Sequence, residues 1–574
     1  MTPHPFTRWA ALGLCMALAM PVSAAVVPPG VQLHPTQHLV RNNGSEPETL
    51  DPALAESVGA NNLTRDLFEG LTANDSAGKI VPGVAESWKQ TNPVTWVFKL
   101  RQNAKWSNGD PVTAQDFVFG IRRFLDPKTA STYATTFGVF LANGKEVAEG
   151  KKPPAEIGVK ALDKFTLEVK TAFPVTFLPS LMSNNNLGPV HQPSLEKFGK
   201  DWTKPGNLVS NGAFVLKQWQ VNSKIVLEKN PQYWDAKNVQ LTQVTYLPVE
   251  DDNADVKLYE SGENEWVNQL PPGTYEKYKQ QFPKEIRNSP MIGLRYYSYQ
   301  TQSPAFKDVR VRKALSMVID RDILAQRITA DGQAPAYGLM VKGVQGADVT
   351  AYDWATWPMA RRVAEAKALL AQAGVKPGTR FTFSYNTSEY HKKMAIFAAS
   401  EWKTKLGLNV ELEAMEFKVL LKKRHDGSFE MARNGWLADY NDATTFLALG
   451  ALRFGPEQQL QLQPQGGGPD QAGHRPDRSG QAQGAADAGV GDDHGGLSDH
   501  PAAAVFAAPA GKIVRRRVFA GERARPFPQQ GPVHHQALNV VLHAAPAAGD
   551  DSHPAGSHHR QLSAGARRAG RPVR

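Results

Sequence analysis

A chain of 574 residues is too long for one ordinary hydrophobic core, and two or three domains are expected. Apolar residues make up 41% and there are 12 Trp, enough to fill buried cores. The formal charge is +10, but the basic residues are scattered along the chain, which argues against a nucleic-acid face.

The N-terminus reads as a secretory signal peptide. Arg8 gives a positive start, Trp9 to Met20 is a short apolar run, and Val22-Ser23-Ala24 offers small residues for cleavage, so residues 1–24 would be removed. Twelve apolar residues are too few to span a bilayer, and no longer apolar run follows. The only Cys, Cys15, lies inside this segment. A lipoprotein anchor there is disfavoured, because bulky Leu14 precedes it and apolar residues continue past it. The mature chain would then hold no disulfide, thiol nucleophile or Cys-ligated metal. The expected destination is the periplasm.

Further along, short alternating strands recur. Trp96, Phe98 and Leu100 form one; Phe165, Leu167 and Val169 another; Ile225 and Leu227 a third. A helix from Arg361 to Ala373 ends at Gly374, with Pro377 beyond. The clearest unit follows. Phe381, Phe383 and Tyr385 alternate as a strand. Asn386-Thr387-Ser388 can cap a helix over His391 to Leu406, which carries Met394, Phe397, Ala398 and Trp402 at helical spacing and stops at Gly407. Leu408, Val410 and Leu412 make the next strand. A strand-helix-strand unit predicts an α/β domain. No internal repeat is evident.

The texture changes near residue 452. From Leu452 onward there is no Trp, Tyr, Met, Thr or Cys, only one Ile and one Lys, and nine of the 15 His. Periodicity disappears, and such a segment buries too little apolar surface to offset its chain entropy. A natural disordered tail is one reading. A basic nucleic-acid tail around Arg515-Arg516-Arg517 is another, diluted by ten acidic residues. The reading favoured here is translation of a GC-rich gene in the wrong frame.

Several segments carry a resemblance in their order along the chain. Leu39-Val40-Arg41-Asn42-Asn43-Gly44-Ser45-Glu46 leads to Leu50-Asp51-Pro52, then Arg65-Asp66-Leu67-Phe68-Glu69-Gly70-Leu71 and Pro82-Gly83-Val84-Ala85-Glu86-Ser87-Trp88. Trp96-Val97-Phe98-Lys99-Leu100-Arg101 and Ala104-Lys105-Trp106-Ser107-Asn108-Gly109-Asp110-Pro111-Val112-Thr113-Ala114-Gln115-Asp116-Phe117 follow. Asp308-Val309-Arg310-Val311-Arg312-Lys313-Ala314-Leu315 and Gly435-Trp436-Leu437-Ala438-Asp439-Tyr440-Asn441 complete the set. From about residue 36 to about 450 the chain closely resembles the periplasmic oligopeptide-binding proteins of ABC peptide importers (solute-binding protein family 5). The resemblance implies a two-lobed α/β clam with an extra inserted domain. The first lobe would take 25–68 and 190–290, the inserted domain 69–189, and the second, ligand-binding lobe 291–451, left incomplete. Residues 452–574 depart from the family, whose chain should finish both lobes there. A frameshift near 448–453 would account for this. Shifting the frame after codon 450 should then restore the family's ending.

A short peptide is a zwitterion with a hydrogen-bonding backbone. A receptor indifferent to sequence needs a carboxylate for its α-amine, cations for its α-carboxylate and extended backbone partners between them. Taken alone, most of the matching residues read as ordinary: Asp439 as a turn residue, Trp436 as core, Arg433 and His391 as solvated side chains. The resemblance implies more. Asp439 would pair with the ammonium group, and Gly435 and Leu437, flanking Trp436, would offer backbone groups. Arg433, His391 and Arg327 would hold the carboxylate at positions that depend on peptide length. Tyr133 from the inserted domain would touch the ligand, and Glu56 and Phe417 would line the pocket.

No His-Glu-x-x-His, Gly-x-Ser-x-Gly or phosphate-binding loop competes with this reading. Neither a metal nor a cofactor is expected. The expected mechanism is capture between lobes, hinge closure and docking of a monomer onto a membrane permease. The alternatives are a receptor for murein peptides, a disrupted product without function, and, from another class, a secreted peptide hydrolase.

Overall fold

The computed structural model describes residues 34–451, apart from 77 and 290, together with the strands Ala502–Ala507 and Gly511–Arg515. The expected signal peptide over 1–24 lies outside the described residues, as does most of the tail.

Sheets and helices alternate as the sequence implies. One four-stranded sheet runs in the order His38–Asn42, Gln243–Leu247, Lys224–Lys229, Phe214–Gln220. Its first pair is parallel and joins strands separated by about two hundred residues of chain. A second sheet of four antiparallel strands is built wholly within those residues, from Ala85–Asn92, Thr95–Leu100, Thr166–Lys170 and Val159–Asp163. The helix Ala114–Leu125 packs on it through Phe117, Ile121, Phe124 and Leu125, and starts at a capping box between Thr113 and Asp116. The buried residues from Leu39 to Tyr246 form one continuous core running through both sheets.

A five-stranded sheet carries the rest, in the order Asn409–Met415, Arg380–Asn386, Met431–Leu437, Gly293–Tyr299, Ala502–Ala507. The parallel pair Arg380–Asn386 and Asn409–Met415 is joined by the helix Glu389–Leu406. That helix is the one expected from sequence. Ser388 caps it, Gly407 ends it in the left-handed conformation at φ 71°, and Trp402, Met394 and Ala398 face a core shared with Tyr297 and Phe383. The helix Met359–Gln372 likewise falls where the apolar period places it.

Two short stretches of the biased tail depart from the expectation of no regular structure. Ala502–Ala507 pairs antiparallel with Gly293–Tyr299, and Gly511–Arg515 sits between Trp266–Val267 and Ile286–Ser289. Strand pairing draws on backbone groups that any residue supplies, so an open sheet edge accepts a segment with no side-chain period. The second strand contains the tail's only Lys and Ile, Lys512 and Ile513. Among the described residues no helix is long and apolar enough to cross a membrane.

Candidate functional site

The site lies where the strand Met431–Leu437 leaves the five-stranded sheet and meets the other lobe. Alternation puts Arg433 and Gly435 on one face of that strand and Trp436 on the other. Across the antiparallel ladder Tyr297 stands opposite Arg433, and Arg295 opposite Gly435. Arg295 and Arg433 are therefore diagonal neighbours on one face, and the missing side chain of Gly435 leaves space beside Arg295.

Past the strand, the chain turns. Ala438 N–H donates to the Ile292 carbonyl at 2.9 Å, and the Thr445 hydroxyl accepts from Trp436 Nε1 at 3.1 Å and from Asp439 N–H at 3.4 Å. Asp442 accepts from Thr444 N–H at 2.9 Å at the start of the helix Thr444–Ala451. These bonds fix the turn that carries Asp439. Its Oδ1 accepts from Asn184 Nδ2 at 3.5 Å, while Oδ2 has no hydrogen-bond partner among the described residues. Burial pushes the Asp439 carboxyl up to about 7, with the nearby Arg65 charge opposing. A carboxylate enclosed in this way is short of positive charge.

The cationic group is held by the Glu389–Leu406 helix and the two central strands. Arg295 Nη1 donates to His391 Nε2 at 3.1 Å, which fixes the neutral ring with its proton on Nδ1. Burial, then the charges of Arg433 and Arg295, hold His391 well below its usual range, so the ring works as a neutral donor. The Arg295 guanidinium lies 4.5 Å over the Tyr390 ring and reaches Gln269 Oε1 at 3.4 Å. Burial, Arg295 and Arg424 all depress Arg433.

The remaining expected residues are brought in from both lobes. Tyr133 stacks on Trp436 at 5.7 Å and 20°. Glu56 accepts from Thr132 Oγ1 at 3.2 Å and pairs with His425 at 3.0 Å. Phe417 N–H donates to Glu250 at 3.1 Å. Leu437, half-buried, ends the strand opposite Gly293. Arg327 is the exception. It is exposed on the one-turn helix Leu324–Thr329 and makes no hydrogen bond to another described site residue. The cation beside His391 is Arg295, which sequence reasoning missed. The available signal was a charge inside the apolar strand Gly293–Tyr299. Asn184 and Glu250 were also missed, with nothing in their local pattern to mark them, and Arg65 stands in a quoted motif but was given no role in the site. No cluster of His, Cys, Asp and Glu suited to a metal exists among the described residues.

Other contacts close the cleft. Phe177 stacks on Tyr440 at 4.8 Å and 4°, and Asp252 accepts from Tyr390 N–H at 3.1 Å and Ser388 Oγ at 3.2 Å. Phe177 and Asp252 thus touch the chain at Tyr440 and Tyr390, on either side of the Asp439-to-Arg295 stretch.

Comparison with known proteins agrees with this architecture. The family described as "Bacterial extracellular solute-binding proteins, family 5 Middle" matches residues 79–453. The chain is 47% identical over 444 residues to the periplasmic oligopeptide-binding protein OppA of Salmonella typhimurium, covering 76% of this chain and 82% of that one. The solved structure of OppA from Burkholderia pseudomallei superposes with a TM-score of 0.77 at 41% identity, covering 85% of this chain and 96% of that one. The murein tripeptide-binding protein MppA of Escherichia coli superposes with a TM-score of 0.72 at 39% identity, covering 74% and 85%. The fold is the two-lobed α/β arrangement of periplasmic binding proteins. On the strength of the matched residues and the shared fold, the chain belongs to the bacterial extracellular solute-binding proteins of family 5.

Proposed function

We propose that the chain captures short peptides in the periplasm and delivers them, as a monomer, to the membrane permease of an ABC importer. One observation carries this reading: an enclosed carboxylate short of positive charge, Asp439, and a cationic group short of negative charge, Arg433 with Arg295 and His391, share one cleft. That is the complement of a zwitterion. Strand rise puts Arg433 and Asp439 at most about 20 Å apart along the backbone, and inward-reaching side chains shorten this to about three to five extended residues. Asp439 takes the ammonium group, and Arg433 and His391 take the carboxylate of the shorter peptides. Gly435 and Leu437 offer backbone groups, while Trp436, Tyr133, Glu56 and Phe417 shape the walls. Arg327 takes the carboxylate of longer peptides.

The names of the relatives agree, being oligopeptide- and murein-peptide-binding proteins. This is a reading as a binding protein and not as an enzyme. A receptor for murein peptides is the second reading, favoured by the 39% identity to the murein peptide-binding protein. We take the first lobe as 25–68 and 190–290, the insert as 69–189 and the second lobe as 291–451. The tail from about 452 is proposed to be out of frame. Its composition changes at 452 and the family match ends at 453.

Calorimetric titration of the purified full chain with tri- to pentapeptides tests the function. Saturable binding is expected. Asp439→Ala should weaken it about 30-fold or more, the cost of leaving a buried ammonium unpaired. Unchanged affinity in a folded variant would remove Asp439 from the site.

A further inference from the structure

Three acidic residues in a row, Glu250-Asp251-Asp252, follow the strand Gln243–Leu247, and each meets a different helix start. Asp251 caps its own helix, Asp252–Ser261, accepting from Ala254 N–H at 2.7 Å. Its two neighbours cross to helices of the five-stranded sheet. Glu250 Oε1 accepts from the N–H of Phe417, which opens the helix Phe417–His425. Asp252 Oδ2 accepts from Tyr390 N–H and Ser388 Oγ at the start of the helix Glu389–Leu406. Asp251 has an extended backbone, φ −79° and ψ 115°, so residues 250 and 252 point the same way, about 7 Å apart. The two helices leave neighbouring parallel strands, Arg380–Asn386 and Asn409–Met415, which lie about 5 Å apart. Two carboxylates at this spacing fit two helix starts side by side, where unpaired N–H groups favour an acceptor.

The acidic segment is anchored to its own sheet. Asn42, which ends the strand His38–Asn42, donates from Nδ2 to the Val249 carbonyl at 3.0 Å and accepts from Val249 N–H at 3.1 Å. Asp255 accepts from Asn264 Nδ2 at 2.7 Å and from Asn268 N–H at 2.8 Å. Moving the two sheets apart would therefore break the bonds of Glu250 and Asp252 and leave these anchors intact. On the far side the bonds lead to the cationic group. The Ser388 hydroxyl that donates to Asp252 accepts from His391 N–H at 3.5 Å, and the Tyr390 ring carries the Arg295 guanidinium at 4.5 Å. Asp252 thus fixes the first turn of the helix from which His391 and Tyr390 both project. Burial pushes the Asp252 carboxyl up to about 7, against the lowering effect of the bonds from Tyr390 and Ser388. An acceptor oxygen carries the contact whether or not the group is ionised.

We propose that Asp252 is a positioning residue for the C-terminus of the peptide: it completes the helix start behind His391 only when the two lobes meet. This rests on the peptide-receptor reading above. Closure over a peptide and assembly of the site for its carboxylate are then one event, and the open receptor holds a looser site. Glu250 supports the neighbouring helix in the same way.

The test is calorimetric titration of the full chain and two variants with Ala-Ala-Ala and with its C-amidated form. Asp252→Ala should weaken the free peptide about tenfold and the amidated form less than about threefold, so the preference for a free carboxylate narrows. Asp252→Asn keeps an acceptor oxygen and serves as the folding control. It should bind the free peptide within about twofold of the unaltered chain. An equal loss of both peptides in Asp252→Ala overturns the proposal, because Asp252 would then support only the fold or closure in general. So does unchanged affinity in Asp252→Ala, or a loss in Asp252→Asn as large as that in Asp252→Ala. If the unaltered chain binds neither peptide, or binds both equally, the peptide-receptor reading itself falls, and this inference with it.

Discussion

At the scale of residues, the two ends of the cleft differ in how burial acts on them. Asp439 is a carboxyl raised to about 7 by burial, with Arg65 too weak to offset it. An ammonium ligand binds the ionised form, so binding must lower this value and release a proton at pH below about 7. Peptide affinity should therefore fall as pH drops through 7, approaching about tenfold per unit before levelling at the bound-state value, and should also decline above pH 8, where the peptide's own α-ammonium, with a pKa of about 7.7–8.0, loses its proton. Tyr133 and Tyr440 feel the Asp439 charge but stay protonated throughout this window, and His391 stays neutral through most of it. Titrations from pH 8.5 to 5.5 check this. Asp439→Asn should flatten the profile, and an affinity that rises on acidification would contradict the assignment. The same sign governs stability. The raised value means that the unfolded chain ionises Asp439 more readily, so the group costs stability above pH 4 and most above 7.

At the scale of elements, the sequence was legible where period and punctuation agree. The helix Glu389–Leu406 has its apolar period, its Ser388 cap and its Gly407 stop, and it lies within two residues of expectation. Thr95–Leu100 and Arg380–Asn386 alternate as strands should. Their pairing was not legible. His38–Asn42 joins Gln243–Leu247 through a register that no local pattern encodes. The site was legible to the same degree. Asp439 and Trp436 stand in a motif, and Arg433 and His391 were implied by the resemblance, yet neither carries information about what faces these residues from another strand. Arg295 gains its place only through the Gly293–Tyr299 to Met431–Leu437 ladder, and Arg327 loses its place because its helix turns it outward. The strands Ala502–Ala507 and Gly511–Arg515 were missed because they answer open edges and not a pattern of their own.

At the scale of the whole molecule, the question is how a chain with a family match ending at 453 completes both lobes. The strand Gly293–Tyr299 needs a neighbour on its outer edge, as do Trp266–Val267 and Ile286–Ser289, and short tail segments fill these places. If the tail is out of frame, the coding DNA read one frame over from codon 450 should give a family-like ending. A chain carrying that ending should melt higher than this one, because a partly uncovered sheet forfeits a large share of the ~5–15 kcal/mol that stabilises a domain. A frame-shifted reading without family character would contradict this. Everything else depends on whether the cleft still grips both ends of a peptide. The most direct measurement is calorimetric titration of the full chain with Ala-Ala-Ala beside its N-acetylated and C-amidated forms. The account predicts saturable binding of the free peptide and at least about 30-fold weaker binding of each blocked form, since each leaves a buried charge unmatched. Equal binding of the blocked forms would contradict it.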